Sequence, residues 1–277
     1  MSIERFAITQ KKQIDAFFEE NGFVIIKGGL SDEQLSDFRT ELKNLINAFL
    51  LKAGLPERAD DSVFTGGLRA LEAVDSELVG SIYDAIFQSP AFFRIIGDKK
   101  IEALTRLLLG ITGKHPLYGF TNRCLIAPPT DERRTYGWHQ EIFYTIPRGS
   151  YLQTWGPLIF ETTAATGTIE VLPGSHKEGI AKQIWYDVPG RSTQILIHED
   201  IVEKYRPIQV EMKLGELMIF SGFLAHKSGR NTSDKVRYSL VGMYHDVRHP
   251  PFRTPKVTFN YRGETPREFY NKVICDE

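Results

Sequence analysis

The chain has 277 residues, 42% of them hydrophobic and 25% charged, enough to bury one large core or a core with a helical annex. Lys and Arg number 34 and Asp and Glu 35, a net charge of -1, without the basic excess of a nucleic-acid-binding surface. Two cysteines, Cys124 and Cys275, are too few for a disulfide framework, and no run approaches the ~20 apolar residues of a membrane span. Residues 1–6 lack the apolar run and cleavage site of a signal peptide, so a soluble, cytoplasmic protein is expected, with no nucleic-acid or membrane partner.

The first third reads as helical. Residues 11–21 carry Ile14, Phe17 and Phe18 on one face, with Gly22 as a C-terminal stop and 23–26 as a short buried strand. Ser31 and Gln34 form a capping-box pattern. Behind it Leu35, Phe38, Leu42, Leu45, Ile46 and Phe49 recur at helical spacing until Gly54 and Pro56. Residues 56–61 are polar and read as a loop, followed by helices over 77–87, 90–96 and 100–109, with Pro90 suited to a first turn.

From about Leu117 the segments become short, β-branched and aromatic, broken by Gly, Pro and Asn. Strands are expected over 118–126, 137–144, 151–160, 167–172, 208–213, 217–221 and 236–244, a number that suits a sandwich or barrel better than a parallel α/β sheet. The expected fold class is mainly β with flanking helices. Residues 1–277 form a single domain, with about 1–110 as a mainly helical annex and about 117–246 as the β core.

Among seven histidines, His139 stands two residues before Glu141, and on a strand residues i and i+2 share a face. Two histidines and a carboxylate are the ligand set of a mononuclear non-heme iron site with open positions, and His226 would be the third member. His198-Glu-Asp200 competes in form, but its surroundings, 195–205, read as helix or loop, where i and i+2 diverge, so it is taken as surface structure. Residues 229–234 read as a turn, and the strand after it sets Arg237, Ser239, Val241 and Met243 on one face. A buried arginine there needs an anion, and its planar fork suits a carboxylate; the plainer alternative is a structural salt bridge.

Trp138-His-Gln-Glu141, Gly167-Thr-Ile-Glu-Val-Leu-Pro-Gly-Ser-His-Lys177 and His226-Lys-Ser-Gly-Arg-Asn231 followed by Arg237 resemble the phytanoyl-CoA dioxygenase family. The helix, Gly-Phe-Val-Ile-Ile strand and capped helix of 17–42 extend the resemblance over most of the chain. It implies a double-stranded β-helix (jelly-roll, cupin-like) core and an Fe(II)/2-oxoglutarate-dependent oxygenase that uses O2. Such an enzyme hydroxylates an unactivated C–H bond of a small molecule and releases succinate and CO2; desaturation, ring closure and epimerisation share its iron chemistry. By position, His139, Glu141 and His226 would hold the iron and Arg237 the distal carboxylate of 2-oxoglutarate, with a hydrogen bond from Ser228 or Ser239. Asn122 is an extra contact to the cosubstrate, and His176 a loop-ordering or mouth residue.

The family usually has Asp where this chain has Glu141, a longer but still hard oxygen donor. Its presence argues against a halogenase, which would need that position for chloride. Arg134, Tyr144, Arg148, Trp155 and Trp185 are candidates for the mouth, and 181–198 for a substrate lid. The rival readings are a non-catalytic β-barrel module for a small molecule or sugar, and a cupin-type metal isomerase, which would not need Arg237.

Overall fold

The computed structural model describes residues 3–119, 122–130, 135–144, 150–187, 193–250 and 252. β1 (Phe6–Ala7) lies parallel to β2 (Phe23–Lys27), and α1 (Lys11–Asn21) joins them. Gly22 takes the left-handed conformation, φ 78°, and returns its N–H to Phe18 O at 2.7 Å, so the chain leaves α1 straight into β2. α2 (Asp32–Lys52) opens on the full capping box: Ser31 Oγ accepts from Gln34 N–H, and Gln34 Oε1 accepts from Ser31 N–H.

Four further helices follow: α3 (Gly66–Val74), α4 (Ser76–Ile86), α5 (Pro90–Ile96) and α6 (Lys99–Leu108). The sequence reading missed α3 and the 3-10 turn Asp61–Phe64 before it. Its opening Gly66-Gly67 has low helix propensity. Tertiary packing overrides that: Gly67 lies against Ile46 of α2, and Leu68 and Leu71 are buried.

The β elements are β3 (Leu117–Gly119), β4 (Arg123–Ala127), β5 (Tyr151–Pro157), β6 (Ile169–Val171), β7 (Gln183–Tyr186), β8 (Gln194–Ile197), β9 (Ile208–Gln209), β10 (Leu217–Ser221), β11 (His226–Ser228) and β12 (Arg237–Asp246), with α7 (Glu199–Val202) after β8. One sheet runs β1-β2-β10-β5-β12-β3, with β4 also paired to β12. A second has the order β11-β6-β9, and β7 and β8 form a hairpin.

Alternation along the large sheet divides two cores. Val24, Ile26, Leu152, Leu217, Ile219, Tyr238 and Leu240 face the helical layer, joining Phe38, Leu42, Ile46, Phe64 and Phe92. Their neighbours Phe23, Ile25, Trp155, Met218, Phe220, Val241 and Met243 face the small sheet, meeting Ile169 and Val171. Both faces of the central strands are therefore covered, and every residue of β5 and β12 is buried.

Several expectations change. Helical residues outnumber strand residues, so "mainly β" understates the helical layer. The expected strand over 118–126 is two, β3 and β4, both on β12. The strand over 208–213 shortens to two residues plus a single bridge, Thr162 to Met212. Among the described residues no helix is long and apolar enough to cross a membrane. Cys124 is buried; Cys275 lies outside the described residues.

At the end of β12, His245 is fully buried, its ring stacked on Tyr151 at 4.7 Å, with Tyr118 and Phe252 nearby and neither ring nitrogen hydrogen-bonded. Burial pushes its pKa down from 6.5 to about 4. The folded state thus favours the neutral ring. Stability is full above the unfolded value and falls as pH drops from 6.5 toward about 4, by up to ~3 kcal/mol. In urea denaturation across that window, His245→Phe should lose less stability than wild type; parallel pH profiles would refute it.

Candidate active site

His139 and His226 sit directly opposite each other in a one-residue antiparallel bridge. Each backbone N–H donates to the other's carbonyl, at 2.9 and 3.0 Å. A pair that exchanges both hydrogen bonds projects its side chains to the same side, and the two rings lie 4.2 Å apart. Since β11 pairs with β6, the bridge adds His139 to the edge of the small sheet.

The expected strand over 137–144 does not continue past the bridge: Glu141–Phe143 is a 3-10 turn. Glu141 reaches the histidines by this turn and not by strand alternation. Its Oε2 stands 3.6 Å from His139 Nε2 and 3.7 Å from His226 Nε2. The three ligand atoms lie within 4.8 Å of one another.

Both imidazoles are preset. A carbonyl oxygen only accepts, so Nδ1–H of His139 donates to Gly137 O at 2.7 Å and Nδ1–H of His226 to Leu224 O at 2.9 Å. That leaves each Nε2 with a lone pair aimed at Glu141, an outer-shell arrangement typical of metal-bound histidine. Burial lowers the pKa of His226, and repulsion from a second imidazole so close by, were both protonated, adds to this, so the neutral, ligating form of His226 is favoured. Burial alone would raise the Glu141 carboxyl, but the two imidazoles beside it, when they carry protons on Nε2, outweigh it and hold the group at about 2. The donor set of two neutral imidazoles and one carboxylate fits a divalent iron.

Gln140, between the ligands, is buried and points the other way. Its Nε2 donates to Gly179 O and Phe223 O at 2.8 and 2.6 Å, and its Oε1 accepts from Ala181 N–H at 2.9 Å. These bonds fasten the ligand segment to two other loops. The β7–β8 hairpin is fastened to it as well: Ile197 N–H donates to Trp138 O, Gln194 bonds Gly137 N–H and Thr135 O, and Ile195 N–H donates to the Tyr144 hydroxyl. Within residues 181–198, expected as a lid, Gln183–Tyr186 and Gln194–Ile197 are the strands of this hairpin, and residues 188–192, Pro189 and Gly190 among them, lie outside the described residues.

A cavity of about 270 Å³ opens beside the triad, lined on one side by Gly167, Ile169 and Ser228 and on the other by Arg123, Leu125, Gln153, Trp155, Arg237, Val241 and Met243, with Tyr136 and Tyr144 next to the histidines. Arg237 is 7% exposed, and no carboxylate among the described residues pairs with it. Its Nη1 makes only long contacts, 3.4 Å, to the carbonyls of Thr166 and Gly229, and its Nε has no partner. Burial alone pulls its pKa down to about 10. A buried, unpaired guanidinium is costly without an anion. Ser239, on the same face, is fully buried with its Oγ unpartnered, and Ser228 lines the cavity. Gly167, φ 78°, lets the turn after β11 come this close, since a Cβ would lie 2.5 Å from Gly229 O.

Other candidates fall elsewhere. Asn122 lies outside the cavity lining; its Oδ1 accepts from Met243 N–H at 3.0 Å, and it lines a separate hollow with Gly119 and Tyr244. The residue before β4 turns its amide to strand pairing because the β12 N–H there needs an acceptor. His176 packs on Gly22 and contacts Glu19 O, outside the cavity lining, as a loop-ordering residue would. His198 caps α7 at the surface and pairs with Asp200, at 3.0 Å. Tyr144 and Trp155 do line the cavity, whereas Trp185 is 68% exposed on β7. Arg134 and Arg148 lie outside the described residues. Sequence reasoning missed Gln140, Gln153, Arg123 and Tyr136; for Gln153 the signal was a lone amide in a strand otherwise of aromatic, aliphatic and small residues.

The family model described as Phytanoyl-CoA dioxygenase (PhyH) matches residues 18–239. The peroxisomal phytanoyl-CoA dioxygenase of Bos taurus is 25% identical over 239 residues, covering 83% of this chain and 67% of its own length; the chain spans about two thirds of such mammalian relatives. Two solved structures share the fold. The epimerase SnoN in complex with Fe3+, alpha ketoglutarate and nogalamycin RO has a TM-score of 0.62 at 18% identity, over 93% of both chains. EctD from S. alaskensis with 2-oxoglutarate and 5-hydroxyectoine has a TM-score of 0.61 at 20% identity, over 94% of this chain and 86% of its own.

Replacing Gln140 with Leu removes all three of its hydrogen bonds. Fe(II) affinity should then fall by about 10- to 100-fold in an anaerobic titration, with the helical circular dichroism retained. An unchanged affinity would show that the ligand segment holds itself.

Proposed function

The chain belongs to the phytanoyl-CoA dioxygenase family, and from that premise we propose that it is an Fe(II)/2-oxoglutarate-dependent oxygenase hydroxylating a small molecule. The observation that carries this is the pairing of a two-histidine, one-carboxylate cluster with a buried arginine that has no anion of its own among the described residues, both facing one cavity. His139, Glu141 and His226 are the ligands of the iron. Arg237 holds the distal carboxylate of 2-oxoglutarate, and Ser228 and Ser239 stand ready as hydrogen-bond donors to it. The two sheets and the helical layer make one domain, with the β core as a double-stranded β-helix. A cytoplasmic setting fits a chain with only two cysteines.

Iron, 2-oxoglutarate and O2 together would supply an oxidant able to take hydrogen from an unactivated C–H bond, one oxygen atom ending in succinate, with CO2 released, and the other in the hydroxylated product. The remaining work is done by this chain. The carbonyls of Gly137 and Leu224 keep both imidazoles in the tautomer that leaves Nε2 free. Arg237 fixes the cosubstrate from the far end, and its desolvated surroundings strengthen that contact. Tyr136, Tyr144 and Phe220 pack around the two histidine rings and keep water from them. A cupin-type isomerase would have no use for the arginine, and a module without iron chemistry no use for two preset imidazoles on one carboxylate.

Anaerobic Fe(II) with 2-oxoglutarate should give a weak visible band near ~500 nm, as expected of a chelating cosubstrate at an open non-heme site. His226→Ala should abolish it. Arg237→Leu should raise the 2-oxoglutarate concentration needed for it by about tenfold or more, the cost of a lost charge-assisted pair. A band that survives His226→Ala sinks the assignment.

A further inference from the structure

Arg237 and Ser239 account for one end of the cavity floor, and the other end carries two polar groups that they leave unexplained. In the register of the large sheet, Arg237 pairs with Ala127, whereas Val241, four residues on, pairs with Arg123 of β4 and Trp155 of β5. Arg123 thus starts from a row about 13 Å further along the same face. It rims the cavity, exposed, and among the described residues it has no ion pair. One row beyond, Met243 pairs with Gln153, which in turn pairs with Phe220. The Phe220 ring stands 5.0 Å from that of His226, which sets Gln153 at the histidine end of the cavity.

Gln153 is 5% exposed, and its Oε1 has no hydrogen-bond partner. A buried amide oxygen left unpaired costs ~1–3 kcal/mol, so its retention on a cavity wall points to a ligand that donates to it. Between the two polar groups the floor is apolar, formed by Val241 and Met243. The whole space, about 270 Å³, must take the cosubstrate as well as the reacting end of the substrate, which keeps that end small.

We propose that Arg123 and Gln153 form the substrate-recognition subsite, and that the substrate is a small carboxylic acid carrying a hydroxyl or amino group. The carboxylate pairs with the Arg123 guanidinium, the O–H or N–H donates to Gln153 Oε1, and the carbon chain crosses Val241 and Met243. One arginine is enclosed and the other open to solvent, which suits two different anions: the cosubstrate behind, the substrate at the mouth. The inference rests on the oxygenase reading and deepens it.

The test presents short hydroxy and amino acids, each beside its primary amide and its deoxy analogue, to the Fe(II)- and 2-oxoglutarate-loaded protein, and reads succinate release. At least one acid should accelerate release, with its amide weaker by about tenfold or more in kcat/KM. Arg123→Gln should erase the preference for acid over amide, and Gln153→Leu the preference for hydroxyl or amine over deoxy. Titration of 2-oxoglutarate into both variants, followed by the visible band, should match wild type. Acids and amides acting alike, preferences that survive the substitutions, a weakened 2-oxoglutarate titration in either variant, or no acid accelerating release while the band forms would each overturn the subsite. Absence of the band from the wild-type protein would instead overturn the oxygenase reading beneath it.

Discussion

The site depends on one pair of backbone hydrogen bonds, the mutual exchange between His139 and His226. A directly opposed antiparallel pair brings two side chains from distant parts of the chain to one face at ring-contact distance. The bridge is a single residue long, and that brevity matters. A longer strand would have carried Glu141 two residues, about 7 Å, further along the sheet edge. Because the ladder stops at His139, the chain turns at once into its 3-10 helix and the carboxylate swings back between the two Nε2 atoms. Gln140, bonded to the opposite side, keeps the turn from relaxing.

The large sheet divides stability from chemistry. On its helical side, side chains such as Tyr238, Leu240 and Ile219 are fully buried in an apolar layer, and Tyr238 donates its hydroxyl to Phe64 O. On its other side the same strands present Arg237, Ser239 and Gln153, each buried with a polar atom that finds no partner. Groups like these are unfavourable in a folded interior unless something else completes them. Concentrating them on one face of strands whose other face is well packed lets the fold carry a site that is incomplete by itself. Alternation along β12 makes this possible, since neighbouring residues serve opposite purposes.

How much of this was legible in the sequence follows from the range of the interactions. The capping box at Ser31, the stop at Gly22, and the shared face of Arg237, Ser239, Val241 and Met243 are set within a few residues, and all were readable. The triad was also readable, though by an argument that fails in its detail: alternation on a strand selected Glu141, while a turn delivers it. Helix α3 was hidden by its opening glycines, whose packing on Ile46 no local propensity reveals. Asn122 was misplaced because its role is fixed by Met243, 121 residues away. Arg123 and Gln153 escaped notice for the same reason: neither sits in a motif, and only the register of β4, β5 and β12 brings them to one floor.

The glutamate at 141, where the resembling family usually has aspartate, finds its explanation in this geometry. From the 3-10 turn its Oε2 reaches both imidazoles almost equally, at 3.6 and 3.7 Å. An aspartate from the same backbone would fall about one carbon–carbon bond short, roughly 1.5 Å. The turn would then have to move toward the bridge, against the hydrogen bond from Ile142 N–H to Gly222 O and those of Gln140. Gly222 itself lies tight against the Tyr151 ring, which a Cβ there would meet at 2.3 Å. The longer side chain is matched to a backbone held further back. The carboxylate and the two histidines form one geometric unit, and the extra methylene of Glu141 is part of its fit.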